Sequence, residues 1–206
     1  KDETALCRQA HAETCCATMW FGDASDETGY NTVDGFLKLI GERGAEESVY
    51  HNTYQDADLA SAEKIVEFFD ELWTNADTRT QDLKADGQLA YFLTSDLGHR
   101  YEKYRDAKGA DAADADAVNG RPTLSDHGIP VIDVRLGGYL APTSFDKSFC
   151  MLTDRLNRVL AFNTADMPGN EVRMWYNPDE MENRQRAVFM AGCAILDESL
   201  VTYLHK

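Results

Sequence analysis

The sequence predicts a mainly α chain: one globular domain of five or six helices packed as a bundle, with at most a short hairpin. Three observations lead there. Apolar residues recur every three or four positions in several segments, the spacing of one helix face. Only one stretch, "IPVIDV", carries the β-branched run of a strand. Finally, 206 residues at 43% hydrophobic content suffice for one core, and no linker or internal repeat divides the chain. The domain then spans 1–206, with 1–57 as a helical N-terminal extension bearing a cysteine cluster and 58–206 as the core.

The first helix is "ETALCRQAHAETCCATMW", with Leu6, Cys7, Ala10, Cys15 and Met19 at helical spacing. "FGDASDETGYN" interrupts it with acidic residues and glycine. "TVDGFLKLIGERG" gives a short second helix striped by Val33, Phe36, Leu37 and Ile40 and stopped by Gly41 and Gly44. "DADLASAEKIVEFFDELWTNAD" is the clearest helix. Leu59, Ala62, Ile65, Val66, Phe69 and Leu72 line one face, and acidic residues at its start suit the dipole. "TQDLKADGQLAYFLTSDLGHRYEKYRDAKG" continues the period through Ala90, Leu93, Leu97, Tyr101 and Tyr104. Gly87 weakens its first part, since glycine costs about 1 kcal/mol in a helix interior.

"GADAADADAVNGRP" is acidic and of low complexity, the composition of an exposed loop. "IPVIDVRLGGYLAP" places Val131, Ile132 and Val134 ahead of a Gly-Gly turn. "SFDKSFCMLTDRLNRVLAF" reads as an amphipathic helix capped by Ser144, with Phe145, Phe149, Leu152, Leu156 and Val159 inward. A last helix is capped by Asn177, takes Pro178 in its first turn, and runs through Val188, Ile195, Leu196, Leu200 and Leu204.

Charge narrows the function. Asp+Glu number 36 against 20 Lys+Arg, a net −16, which disfavours nucleic-acid backbones and anionic lipid surfaces alike. No apolar run approaches the roughly 20 residues of a membrane span. The five cysteines are Cys7, Cys15, Cys16, Cys150 and Cys193, with no CxxC among them. Together with a first residue that is Lys1 rather than Met, they point to a secreted or periplasmic protein with one or two disulfides. The cytoplasmic alternative keeps every thiol reduced. No GxSxG, phosphate-binding or dinucleotide loop occurs, so no hydrolase or nucleotide enzyme is indicated, and catalysis is left open. Cys7, His11 and Cys15 share a helix face at four-residue spacing, a donor set for zinc or copper or else a disulfide tether beside a histidine. The acidic loops lack the ligand order of a calcium loop.

One histidine remains, in "NGRPTLSDHGIP". A haem iron needs an axial imidazole and an apolar wall. His127 supplies the first, as metal ligand, and Phe68, Phe69, Leu72, Leu89, Phe92 and Leu93 supply the second. The plain alternative is a solvated loop histidine beside ordinary core. Four pieces stand in one order: "VEFFDELW", "AYFLTSDLG", "GRPTLSDH" and "SFDKSFCMLTDRL". Over roughly 65–160 the chain thereby resembles the truncated haemoglobins. The resemblance implies a globin-like fold and a haem on His127, with Asp126 or Asp133 orienting the imidazole and His99 as a sixth-ligand candidate. Phe69 stands where that family carries a tyrosine donor, which implies poor retention of oxygen. The implied function is binding of a small gas ligand, or redox sensing. The alternative from another class is an extracytoplasmic helical binding or adaptor domain, without cofactor or catalysis, serving an unidentified protein partner.

Overall fold

The computed structural model describes residues 3–25, 32–47, 50–59, 61–108, 116–118, 121–134, 148–162, 172–187 and 191–206. Among them are five α-helices and twelve strands. The helices are α1 (Glu3–Phe21), α2 (Phe36–Glu47), α3 (Lys64–Thr74), α4 (Thr78–Asp82) and α5 (Ser95–Lys108). The strands are β1 (His51–Thr53), β2 (Leu89–Leu93), β3 (Asp116–Val118), β4 (Arg121–Thr123), β5 (Ser125–Asp126) and β6 (Ile129–Asp133). They continue with β7 (Phe149–Asp154), β8 (Arg158–Phe162), β9 (Val172–Asn177), β10 (Glu182–Ala187), β11 (Ala191–Ile195) and β12 (Thr202–His205).

A six-stranded mixed sheet, ordered β1-β12-β7-β2-β6-β5, is the centre of the fold. β2 pairs antiparallel with β7 and parallel with β6. Because side chains alternate along a strand, each central strand feeds two cores. Leu89, Tyr91 and Leu93 of β2, with Cys150 and Leu152 of β7, face Ile65, Phe68, Phe69 and Leu72 of α3 and Leu97 and Tyr101 of α5. Ala90 and Phe92, with Phe149 and Met151, face Ala17 and Trp20 of α1 and Phe36 and Ile40 of α2. Each fully buried large apolar side chain contributes on the order of 1.5–3 kcal/mol of burial.

The α1 and α2 helices meet at a close backbone approach. Gly35 N donates to Gly22 O at 2.8 Å, and a Cβ on Gly22 would lie 2.3 Å from the Val33 carbonyl oxygen. Glycine is required there for lack of space.

The mainly α expectation is therefore corrected to mixed α/β. The first three predicted helices are present as α1, α2 and α3, α2 running on through Gly41 and Gly44. The fourth divides: Gly87, at φ 67, stands in a turn, "LAYFL" is β2, and Ser95 opens α5. All five residues of β2 are buried. A strand covered on both faces shows no alternation, and a short apolar run of that kind matches a buried helix turn equally well. The fifth predicted helix is β7, a turn and β8: Phe149 and Leu152 face opposite sides of the sheet, and Leu156 is exposed in the turn. Ser144 and Phe145 lie outside the described residues.

The last predicted helix is strand and turn. β8 pairs with β11 and β9 with β10, two nested antiparallel ribbons. Asn177 ends β9, and its Oδ1 accepts from Asp179 N at 3.3 Å across the turn. Asn-Pro-Asp-Glu specifies one αR turn, and that chemistry opens a helix or reverses a hairpin equally well. Buried Asn157 fixes the base of the ribbon, accepting from Asp197 N at 2.8 Å and donating to Asp197 O at 2.7 Å.

Candidate functional site

β5 and β6 are joined by the two-residue turn His127-Gly128, at φ 48 and 82. Two successive left-handed residues form the tight hairpin turn whose twist matches that of its strands, and histidine tolerates this region better than branched residues do. His127 is exposed, and its Nδ1 lies 3.0 Å from Asp126 Oδ2. Asp126 is buried, and its Oδ1 accepts from the Tyr101 hydroxyl at 3.2 Å. Burial and the Asp126 charge push the Tyr101 phenol up to about 12, so it stays a donor at neutral pH.

This corner borders a cavity of about 230 Å³ lined by Asp70, Trp73, Lys84, Tyr91, Asp126, His127 and Ile129. Lys84 Nζ sits 4.8 Å from the Trp73 ring centroid. Tyr91 Oη reaches the Phe69 carbonyl at 3.5 Å. The cavity offers carboxylate, imidazole, ammonium and an indole face, but no serine, threonine or cysteine lines it. It can therefore hold a small polar group.

The residues expected around a haem do not form one wall. Phe68, Phe69, Leu72, Leu89 and Leu93 pack against one another on the α3 and α5 side of the sheet. Phe92 points to the opposite side, against Trp20. The assignment put Leu89, Phe92 and Leu93 on a helix, where spacing of three and four shares a face; on a strand neighbours alternate. His127 borders a cavity that it shares with Asp70 and Trp73 of α3 and with Tyr91 and Ile129. His99 is exposed on α5, its Nδ1 3.6 Å from Glu102.

The cysteines also separate. Cys15, Cys16, Cys150 and Cys193 are free thiols. Cys150 faces the α3 side of β7, across the sheet from α1, and Cys193 lies 3.9 Å from the Met19 carbonyl. Cys15 Sγ and His11 Nε2 are 3.8 Å apart, as their shared helix face requires. No cluster of three metal-binding side chains occurs among the described residues. The Cys7 side chain lies outside the description.

A second feature was not foreseen: the β9–β10 ribbon exposes large apolar side chains. Trp175 is 46% exposed, Tyr176 58% and Met181, at the turn, 82%. The available signal was "VRMWYN" and "ENRQRA" flanking a Pro-Asp turn, the pattern of a hairpin. Among the described residues, no helix is long and apolar enough to cross a membrane.

No protein-family model matches the sequence, and no curated protein matches it. Solved structures do. The chain is similar to one in the cryo-EM structure of the holo-SrpI encapsulin complex from Synechococcus elongatus, at 14% identity and a TM-score of 0.58, covering 98% of this chain and 63% of that one. It is also similar to one in the satellite phage P4 procapsid that includes the size determination (Sid) protein, at 12% identity and a TM-score of 0.57, covering 100% of this chain and 67% of that one. The chain thus spans about two thirds of the length of the chains it matches. The fold overturns both the haem-binding globin reading and the helical adaptor, because the central element is a sheet that neither possesses. What the likeness shows is a fold shared with chains of encapsulin and phage procapsid assemblies, not with globins.

Proposed function

We propose that this chain is a self-associating shell subunit, packing with further copies of itself into a closed compartment or procapsid-like particle. The observation that carries the reading is the fold: chains from two shell assemblies align over nearly all of this chain, at TM-scores of 0.58 and 0.57. The β9–β10 ribbon supports it independently. A two-stranded ribbon is marginal in water by itself, and solvent-facing Trp175, Tyr176 and Met181 leave apolar surface uncovered. Trp and Tyr are the residues that anchor protein interfaces, since each buries a large area at little rotamer cost.

Light scattering on a size-exclusion column, followed by negative-stain electron microscopy of the purified chain, tests the proposal. Discrete particles of uniform diameter are expected. The double variant Trp175→Ala, Tyr176→Ala should retain its circular dichroism while shifting toward free subunits. A wild type that stays monomeric across concentration and salt overturns the reading.

A further inference from the structure

Arg158, the first residue of β8, does not extend into water. Its guanidinium carbon lies 3.5 Å from the ring centroid of Phe92, 5.0 Å from that of Trp20 and 6.0 Å from that of Phe36. All three rings are buried core. They come from β2, α1 and α2, so the cage exists only when both helices are seated on the sheet. Ring faces attract a cation, and they satisfy the faces of the guanidinium. They cannot satisfy its edge, which carries five N–H donors. Arg158 Nε is buried with no hydrogen-bond partner. Among the described residues no carboxylate pairs with this side chain, whereas Lys38 of α2 holds both Asp23 and Asp34 at 2.7 Å. Burial lowers the Arg158 pKa only to about 10, so the group is a cation at neutral pH. A half-buried cation with a buried, unmatched Nε–H is costly in a free subunit.

We propose that Arg158 is the receptor for a carboxylate delivered in trans: an Asp or Glu side chain of a neighbouring copy meets the guanidinium edge while the three rings hold its faces. This rests on the reading of the chain as a self-associating subunit. Charge names the partner group. With 36 acidic against 20 basic residues, the ionised group a second copy most often presents is a carboxylate. The two terminal nitrogens of the planar guanidinium match a carboxylate end-on through two parallel hydrogen bonds. Nε itself is closed off, but Arg158 as a whole is half-buried, so an incoming carboxylate meets the terminal nitrogens.

The proposal predicts opposite signs in the free and the assembled protein. Arg158→Met keeps a side chain of similar length between the rings and removes the unmatched charge. The melting temperature of the free subunit should stay level or rise, while the concentration needed for assembly rises at least tenfold. Assembly of the variant at the wild-type concentration overturns the proposal, and so does a lower melting temperature, which would make Arg158 a purely internal support. If the variant does not fold, the wild type decides. Arginine-selective phenylglyoxal followed by peptide mass spectrometry should label Arg158 in free subunits and not in particles. Equal labelling in both states, or none in free subunits, overturns the proposal. A wild type that never assembles defeats the shell reading itself; a wild type that assembles without engaging Arg158 defeats only this inference.

Discussion

The His127-Gly128 turn shows how backbone geometry selects a residue. Gly128 sits at φ 82 with open space around its would-be Cβ, so Gly128→Ala isolates backbone strain from crowding. It should destabilise the fold by about 1–2 kcal/mol in urea titration, the cost of a left-handed L-residue. Gly192 of β11 also has open space and no positive φ, so Gly192→Ala should cost nothing measurable. Equal effects at the two sites would remove the backbone explanation. A different residue-scale effect governs acid stability. The Lys38 ammonium beside Asp23 holds that carboxyl at about 2, below its ordinary 3.8, and lowers Asp34 also. A depressed folded-state pKa contributes stability that is present above the unfolded value and lost as pH falls through the folded one. Melting temperature should therefore decline between about pH 4 and about pH 2, the window those two values set. Lys38→Met should lower stability at neutral pH and make that decline shallower. The effect is modest because Asp23 is solvent-accessible.

At the scale of elements, the sheet and the ribbon are joined through a few polar contacts. Asn157 closes a two-bond bridge to the Asp197 backbone, and its own carbonyl accepts from Leu196 N at 3.0 Å. The bridge ties the turn after β7 to the segment leading into β12, neighbouring strands of the sheet. Asn157→Ala would strand the Asp197 N–H and C=O and should cost about 1–3 kcal/mol per unsatisfied group. Hydrogen exchange should show faster opening of β8 and β11 than of β2. Unchanged protection there would mean that the bridge does not hold the ribbon base. By contrast, β2 is buried on both faces by α1, α2, α3 and α5, which makes it the expected slowest-exchanging strand.

For the whole molecule, net charge opposes the self-association proposed above. Copies of a chain at net −16 repel one another over a Debye length, about 30 Å at 0.01 M salt and about 8 Å at 0.15 M. Raising salt across that range should lower the concentration at which particles appear, measured by light scattering. A monotonic rise instead would mean that attractive ion pairs outweigh the net repulsion.

Sequence by itself determined the helices whose faces differ. In α3, Ile65, Phe68, Phe69 and Leu72 alternate with exposed Glu67 and Asp70, and that contrast is local information. It also determined the acidic net charge. The β2 and β7 strands were illegible because both their faces are buried, so nothing in "LAYFL" or "FCMLTD" marks a period of two. Of the candidate sites, His127 beside Asp126 was readable as neighbours in the chain, but its turn and cavity were not. The Arg158 cage unites residues from positions 20, 36, 92 and 158, and the exposure of Trp175 depends on what the ribbon leaves uncovered. Those facts are set by which strands pair across long separations. Strand pairing is a property of the folded chain as a whole, whereas a helix closes its hydrogen bonds within four residues.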